Sequence, residues 1–421
     1  MQTDMFDVAV IGGGPAGMMA AGRAAELGAR VVLLEKNPIL GKKLLITGGG
    51  RCNILHAEFD THRLVEKYGK KGKALYSTFA RFDALATREF FESRGVPIKI
   101  EAEQRAFPVS DKAEDVQRTM IRYMEEGGVE VRTGTTVRSL EASGDMMTKV
   151  VLARGAVVAE RYVLATGGKS HPETGSTGDG FVWMRQLGHT VIQPDPALVP
   201  VQLRDPWVSE LAGISLQGVR LTAVQHGEKK LTKTGKMLFT HIGLSGPLVL
   251  NMSKAIGELL HEAGVTLLLD LFPTKDLGTL SQELLATFEA SKNRQIHNVI
   301  GSIVPAKLGH TVLRFAGIPE HTPLHQLTRE QRLALASLLK AIPMTVQGLL
   351  GPDKAIVTGG GVDLREVDFA SMGSKRFANL YLAGDILDFD RPSGGFSLQI
   401  CWSTGYVAGS SAVGDGRPEL R

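Results

Sequence analysis

Three glycines and one glutamate near the start of the chain have the spacing to hold a diphosphate. In Val8-Ala9-Val10-Ile11-Gly12-Gly13-Gly14-Pro15-Ala16-Gly17, the residues Gly12, Gly14 and Gly17 follow an apolar run and lead into a stretch of small residues, after which comes Val31-Val32-Leu33-Leu34-Glu35-Lys36. Gly12 permits a tight turn, Gly14 lets backbone N–H groups approach a pyrophosphate, and Gly17 lets helix and strand pack closely. The phosphates would sit on a helix N-terminus, where orphan N–H groups and the dipole favour negative charge. Glu35, roughly twenty residues further on, suits a hydrogen bond to a ribose hydroxyl and disfavours a 2′-phosphate. Strand, glycine turn, helix, strand and acid together predict dinucleotide binding, with FAD and NAD both open on this unit alone.

A distal acid favours FAD. Leu380-Tyr381-Leu382-Ala383-Gly384-Asp385 reads as a strand running into a carboxylate, followed by Ser393-Gly394-Gly395-Phe396 and a final helix rich in small residues. An extended FAD needs the first unit for its ADP half and a late strand with an acid for its ribityl and pyrophosphate region, a role that suits Asp385. A helix beginning near Ser397 would aim its first N–H groups at the flavin N1/C2=O edge, where negative charge gathers on reduction. Gly359-Gly360-Gly361 precedes no clear helix, so no separate NAD(P) domain is expected. Electrons would then come from NADPH or NADH bound in the cleft itself, or from another protein.

Delivering hydride from a flavin to one carbon of a polarised C=C bond requires a proton donor for the other carbon and hydrogen-bond donors for the developing enolate. Cys52 is one candidate acid. It lies in a second glycine-rich segment, Gly41-Lys42-Lys43-Leu44-Leu45-Ile46-Thr47-Gly48-Gly49-Gly50-Arg51-Cys52-Asn53, which is costly to order and so is expected to wrap a ligand. Arg51 beside it would favour the thiolate, and a structural thiol is the competing reading. His171 and His241, each on a glycine-flanked loop, are alternative donors or enolate-binding groups, or else loop anchors. Arg51 suits a pyrophosphate or a substrate anion, Asn53 suits its own turn, and Cys401 suits core packing. His297, His310, His321 and His325 lack ligand spacing and a paired acid, so no metal site is expected.

Helical periodicity over about 62–95 and about 113–127, the latter capped by Ser110-Asp111, supplies the elements that must position these groups. Val129-Glu130-Val131 and Val137-Arg138-Ser139-Leu140 read as short strands, and Tyr162-Val163-Leu164-Ala165-Thr166-Gly167-Gly168 as a buried parallel strand ending in a glycine turn. From about residue 190 the texture changes: Pro194, Pro196, Pro200 and Pro206 and short alternating strands such as Val219–Val224 mark an inserted β-rich domain. Residues from about 276 to 340 turn helical, with capping-box-like starts at Thr279 and Thr328. The expected division is an FAD-binding domain over 1–190 and 355–421, a β-rich domain over 191–275 and 328–354, and a small helical insert over 276–327.

A length of 421 residues with 43 % hydrophobic content allows two or three globular domains. No stretch approaches the ~18 apolar residues that span a bilayer, and the start, Met1-Gln2-Thr3-Asp4, shows no leader or anchor, so a cytoplasmic, non-membrane protein is expected. Two cysteines exclude a disulfide framework. A net charge of +4 suits an anionic partner without requiring one. Lys67, Lys70, Lys71 and Lys73, beside Tyr68, Tyr76 and Arg81, form one basic cluster; Lys229, Lys230, Lys233 and Lys236 form another. Each is either a solvated face or a set of phosphate contacts on RNA.

Six segments taken together carry a more specific likeness: Ile46–Asn53, Phe107-Pro108-Val109-Ser110-Asp111-Lys112-Ala113, Ala165–Ser170, Thr174-Gly175-Ser176-Thr177-Gly178-Asp179-Gly180, Phe239-Thr240-His241-Ile242-Gly243-Leu244-Ser245-Gly246-Pro247 and Ala383–Asp388. In this order along nearly the whole chain they resemble the bacterial NAD(P)/FAD-dependent oxidoreductase family labelled aminoacetone oxidase, BaiN-like or YhiN-like. The resemblance implies an α/β fold: a glutathione-reductase-type, Rossmann-like FAD-binding domain interrupted by a β-barrel-like domain that carries a small helical insert. It also implies reductase chemistry, in a family linked to bile-acid enone reduction and to dihydrouridine in large-subunit ribosomal RNA. The chain departs from the family at Asp385, where glutamate is usual, at Gln104-Arg105-Ala106, and at His171, where an aromatic residue often stands.

The expected cofactor shell is Gly12, Gly14, Ala16, Gly17, Glu35 and Lys36; then Lys43, Thr47, Gly49, Gly50, Arg51, Cys52 and Asn53; then Val137, Thr166 and Gly167; and finally Gly384, Asp385, Gly395, Phe396 and Ser397. The leading expectation is an NAD(P)H- and FAD-dependent reductase of an activated C=C bond, in ribosomal RNA or in a small enone. A flavin amine oxidase and a non-catalytic, FAD-containing RNA-binding protein are the alternatives.

Overall fold

A computed structural model of the chain describes residues 5–351 and 357–414. Two compact units emerge, Met1–Pro196 with Ala355–Arg421, and Ala197–Lys354. The expected boundary between 354 and 355, like the opening Met1–Asp4, lies outside the described residues.

In chain order the first unit contains strand β1 (Met5–Ile11), helix α1 (Pro15–Glu26), strand β2 (Val31–Leu34), helix α2 (Ala113–Glu126), strands β3 (Glu130–Arg132) and β4 (Ala156–Leu164), helix α3 (Asp179–Gln186), strand β5 (Leu380–Leu382) and helix α4 (Phe396–Val413). The parallel strands run β5-β4-β1-β2-β3. Val8–Ile11 and all of β2 are buried, as strands covered on both faces must be. Ile11 pairs with both Leu34 and Leu164. Gly12, Glu35 and Ala165 therefore emerge together at the carboxyl edge of the sheet, where open parallel sheets bind ligands.

Helix α4 buries 15 of its 18 residues, which suits its lack of a polar face. Gly405 and Gly409 bring it against α1 so closely that an added Cβ would lie 2.4 Å from the carbonyl oxygens of Ala16 and Ala20. On α1, Gly22 makes room for the Tyr123 ring of α2.

The stretch expected to be helical over about 62–95 is broken into Thr61–Lys67, Tyr76–Arg81 and Ala84–Ser93, with a 3₁₀ turn over Gly69–Leu75. Asp60 and Asp83 each cap a new start, accepting from the N–H of Arg63 and Ala86. Asp111 does not cap α2, because its carboxylate is taken by Arg51 and Lys99.

The second unit is a closed antiparallel barrel in the order Val201–Leu203, Gly243–Ser245, Glu228–Thr240, Ser215–Gln225, Thr266–Asp270 and Ile342–Leu349. Closure leaves no strand edge unpaired. Helix Pro247–Leu260 adds Leu248, Val249, Met252 and Ile256 to this unit's own core. Helices Leu277–Ala290, His297–Ile300, Ala306–Phe315 and Arg329–Lys340 stand between the last two barrel strands. Thr328 forms its capping box with Gln331. Thr279 instead donates its N–H to Asp276, the residue that caps that helix. A Rossmann-like domain interrupted by a barrel with a helical insert is thus the fold the chain adopts. Among the described residues, no helix is long and apolar enough to cross a membrane.

Candidate functional site

A cleft with ≈ 890 Å³ of empty space, open mouth included, lies at the carboxyl edge of the first unit's sheet. Its three signature glycines divide their labour. Gly12 has φ +108°, and a Cβ there would lie 2.5 Å from Ala165 O; one on Gly17 would lie 1.8 Å from Gly12 O. Both serve the chain's own packing. Gly14 has an ordinary φ of −81°, and a Cβ there would meet nothing within 4 Å, so its bareness leaves room for a ligand. As the N-cap of α1, Gly14 offers no side chain to the first-turn N–H groups, and no acid stands in that turn. The helix end is left to attract an anion.

Glu35 forms the adjoining wall, 8 % exposed. Its Oε2 accepts from Gly13 N at 2.7 Å, and its Oε1 from the backbone N and Nδ2 of Asn37, both at 2.7 Å. These bonds fix the carboxylate as an acceptor. Lys36 Nζ lies 2.8 Å from Asp179 Oδ2 at the start of α3. Thr166 Oγ1 is buried and has no partner among the described residues.

Asp385 stands at the other end. Lys43 Nζ lies 3.9 Å from Asp385 Oδ2 and donates to Ser170 Oγ at 2.6 Å. Burial pushes the Lys43 ammonium below its ordinary pKa, with Asp385 pulling the other way. Arg391, its side chain wholly buried, donates to Asp385 Oδ1 and, at 2.8 Å, to Thr358 O. Cys401 completes the wall, its thiol pushed up by burial and by Asp385. A Cβ-free space over Gly14, an unclaimed helix end, an orphaned Thr166 hydroxyl and an anchored carboxylate at each end fit an extended dinucleotide such as FAD.

Of the expected shell, Gly12, Gly14, Ala16, Glu35, Lys36, Lys43, Val137, Thr166, Gly167 and Asp385 line this cleft. Gly17 lies beneath Gly12, and Gly384 packs against Ala16 and Cys401. Thr47, Gly49, Gly50, Arg51, Cys52 and Asn53 form a separate loop, with φ of +69° at Gly49 and +85° at Gly50. Arg51 does not face Cys52; it is paired with Glu101 and Asp111 and lies 4.0 Å over the Phe107 ring. Cys52 is 0 % exposed, and burial pushes its thiol up to about 12, against a hydrogen bond from Thr47. The arginine-favoured thiolate is therefore corrected to a sealed, protonated thiol. Asn53 leaves its Oδ1 buried and without a partner among the described residues.

Helix α4 begins at Phe396, one residue from the expected Ser397, with Gly395 as N-cap at φ +99° and no side-chain cap on its first N–H groups. Phe396 stacks on His56 at 4.2 Å, and its carbonyl accepts from the Tyr68 hydroxyl at 3.0 Å. None of Gly395, Phe396 and Ser397 lines the cleft. His171, at φ +51°, has Nδ1 2.8 Å from Glu173 Oε1 and lies outside the cleft lining. His241 is exposed on the turn between Glu228–Thr240 and Gly243–Ser245. Cys52 and His171 thus belong to the first unit and His241 to the barrel.

Asn37, Thr135, Trp183, Cys401 and the run Thr174–Asp179 were not anticipated as lining residues. That run carried a signal: a glycine- and hydroxyl-rich turn between β4 and α3, the same strand-turn-helix step as at Gly12. Arg391 carried none. No group of three or more His, Cys, Asp or Glu among the described residues is placed to hold a metal.

A family model described as HI0933-like protein Rossmann domain matches residues 6–411. The chain is 30 % identical over 413 residues to the 3-dehydro-bile acid delta(4,6)-reductase of Clostridium scindens, covering 97 % of this chain and 99 % of that one. It is 28 % identical over 410 residues to the ribosomal RNA dihydrouridine synthase of Escherichia coli, covering 97 % and 98 %. Among solved structures, the 3-ketosteroid delta1-dehydrogenase of Sterolibacterium denitrificans superposes with a TM-score of 0.55 at 13 % identity, covering 98 % of this chain and 100 % of that one. FrdA of Escherichia coli quinol fumarate reductase gives 0.53 at 16 % identity, covering 100 % and 72 %. At such identities the solved structures speak to fold alone.

Proposed function

The chain belongs to the HI0933-like Rossmann-domain family, a family of FAD-dependent oxidoreductases, and we propose that it uses NAD(P)H to reduce an activated C=C bond, with uridine in large-subunit ribosomal RNA as the favoured substrate. The observation that carries this reading is a cleft built for a dinucleotide in a chain that aligns end to end with two relatives whose names both describe saturation of a conjugated C=C bond. FAD, when bound, supplies the hydride acceptor and donor. The chain's part is to hold it: Glu35 accepts from the ribose, the bare N-terminus of α1 takes the diphosphate, and Asp385 receives the central hydroxyls. We assign the proton-donating role to His171 rather than to Cys52, because the Cys52 thiol is sealed from solvent whereas His171 is partly exposed on a loop of the unit that holds the cleft.

The RNA choice is supported by exposed lysines: Lys67, Lys70 and Lys73 on the first unit, and Lys229, Lys230 and Lys233 on the long barrel hairpin. Lys71 is already paired with Asp388, Lys230 with Glu228, and Tyr68 is fully buried, so both patches are sparser than the sequence implies. A ribosomal substrate would set the enzyme's work in the cytoplasm. Nucleoside mass spectrometry of ribosomal RNA from a deletion strain should show dihydrouridine lost and then restored with the intact gene; unchanged RNA would rule out this substrate.

The second reading, a small conjugated enone, is favoured by the 30 % identity to the bile-acid reductase. Anaerobic mixing separates the two. NADPH or NADH should bleach the flavin, and either RNA or a 3-oxo-4,6-dienoic steroid should restore its colour. Flavin untouched by both nucleotides would remove the NAD(P)H assignment.

A further inference from the structure

Resting on the FAD reading of the cleft, we propose that Arg391 is a positioning residue for the cofactor, acting through Asp385. Asp385 lines a cleft whose other end is arranged for a diphosphate. A bare carboxylate there would repel that ligand, and in a partly desolvated wall the repulsion is weakly screened. The surroundings reverse the sign. Arg391 reaches Asp385 Oδ1 from the protein side with no part of its side chain exposed, and Lys43 Nζ stands 3.9 Å from Oδ2. Two cations about one carboxylate leave the cluster net positive.

Geometry gives Arg391 a further task. Its second nitrogen donates to Thr358 O at 2.8 Å, and Thr358 Oγ1 accepts from Lys169 N at 2.6 Å. The guanidinium thus ties the turn after β5 to the returning strand Val357–Val362 and to the turn after β4. With Oδ1 held from behind, Oδ2, which has Lys43 Nζ 3.9 Å away, is the oxygen left for a ligand. The carboxylate then acts as a fixed acceptor for a polyhydroxyl linker and not as a mobile anion. Arg391 does not line the cleft, so it acts on the cofactor only through Asp385.

The test is a double-mutant cycle on the holoenzyme, read as the FAD dissociation constant by flavin fluorescence, with Arg391→Met, Arg391→Lys, Asp385→Asn and the double Asp385→Asn/Arg391→Met. Arg391→Met should weaken FAD binding by roughly tenfold or more, because it leaves Asp385 Oδ1, in a partly buried site, without its hydrogen-bonded cation. Arg391→Lys should restore part of the loss. The double variant should bind no worse than Asp385→Asn alone, the non-additivity expected of residues acting as a unit. Wild-type affinity in Arg391→Met, or losses that simply add, would overturn the inference while the FAD reading stands. If Arg391→Met does not fold, the same cycle run with Arg391→Lys decides by the same criterion. A wild-type protein that takes up no FAD would instead remove the reading on which the inference rests.

Discussion

Gly14 and Gly17 sit three residues apart in one motif yet answer to different masters, and the difference is measurable. Gly14→Ala should cost the fold no more than about 1 kcal/mol, the usual range for an N-cap change, because a Cβ there meets nothing within 4 Å. Its FAD affinity should nevertheless fall by about tenfold, or about 1.4 kcal/mol, as the methyl enters the ligand's space. Gly17→Ala places a Cβ 1.8 Å from Gly12 O and should destabilise the apo-protein by about 2 kcal/mol or more. Urea unfolding with and without FAD separates the two effects. Cys52 makes a second residue-level prediction. An unfolded thiol sheds its proton near its ordinary 9.0, whereas the folded one keeps it to about 12. The folded state therefore binds the extra proton in that window, and stability falls as pH rises from 9 to 12, by about 1.4 kcal/mol per pH unit at most. Cys52→Ala should flatten that slope, and iodoacetamide should leave Cys52 unmodified until the protein unfolds.

At the level of elements, what the sequence made legible was whatever depends on neighbours in sequence. The β1-turn-α1-β2-acid unit, the buried strand at Tyr162–Leu164 and the Thr328 capping box are local patterns, and each formed. Arg391 was invisible because its meaning lies in Thr358, a residue distant in sequence. The supposed Arg51–Cys52 pairing failed for the converse reason: adjacency in sequence put them side by side, but Glu101 and Asp111 offered the guanidinium a better partner. His189, just ahead of strand Val191–Ala197, illustrates the same blindness. It is 3 % exposed, its Nε2 lies 2.8 Å from Ser374 Oγ, and its Nδ1 is buried without a partner among the described residues. Burial lowers its pKa to about 4, against the pull of Glu366. Between its ordinary 6.5 and about 4 the unfolded chain takes up a proton that the folded chain refuses. Stability should drop as pH falls through that window, by of order 1 kcal/mol. His189→Gln should remove the drop in urea midpoints compared between pH 7 and pH 4.5.

On the scale of the whole molecule, the two units carry separate hydrophobic cores, and only the first holds the cleft. FAD should therefore stabilise one transition and not the other. Saturating the protein at about a hundred times the dissociation constant should add about 2.7 kcal/mol to the first unit, raising its calorimetric transition while the barrel's stays in place. A single transition that moves as a whole would mean the units unfold together.

The close seating of α4 on α1 reaches into how the chain is made. Gly405 and Gly409 touch the backbone at Ala16 and Ala20, Ser410 Oγ accepts from Arg23 Nε at 2.9 Å, and Trp402 donates to Ile54 O at 3.0 Å. Helix α1 thus leaves the ribosome long before the α4 on which it packs, while the barrel, made of one uninterrupted stretch, has all its strands in hand by Leu349. With synthesis at about 5–20 residues per second, the phosphate-binding turn spends tens of seconds beside an uncovered face. The order of birth and the order of completion are reversed: the phosphate-binding turn is made before the barrel, yet its supporting helix is made after it.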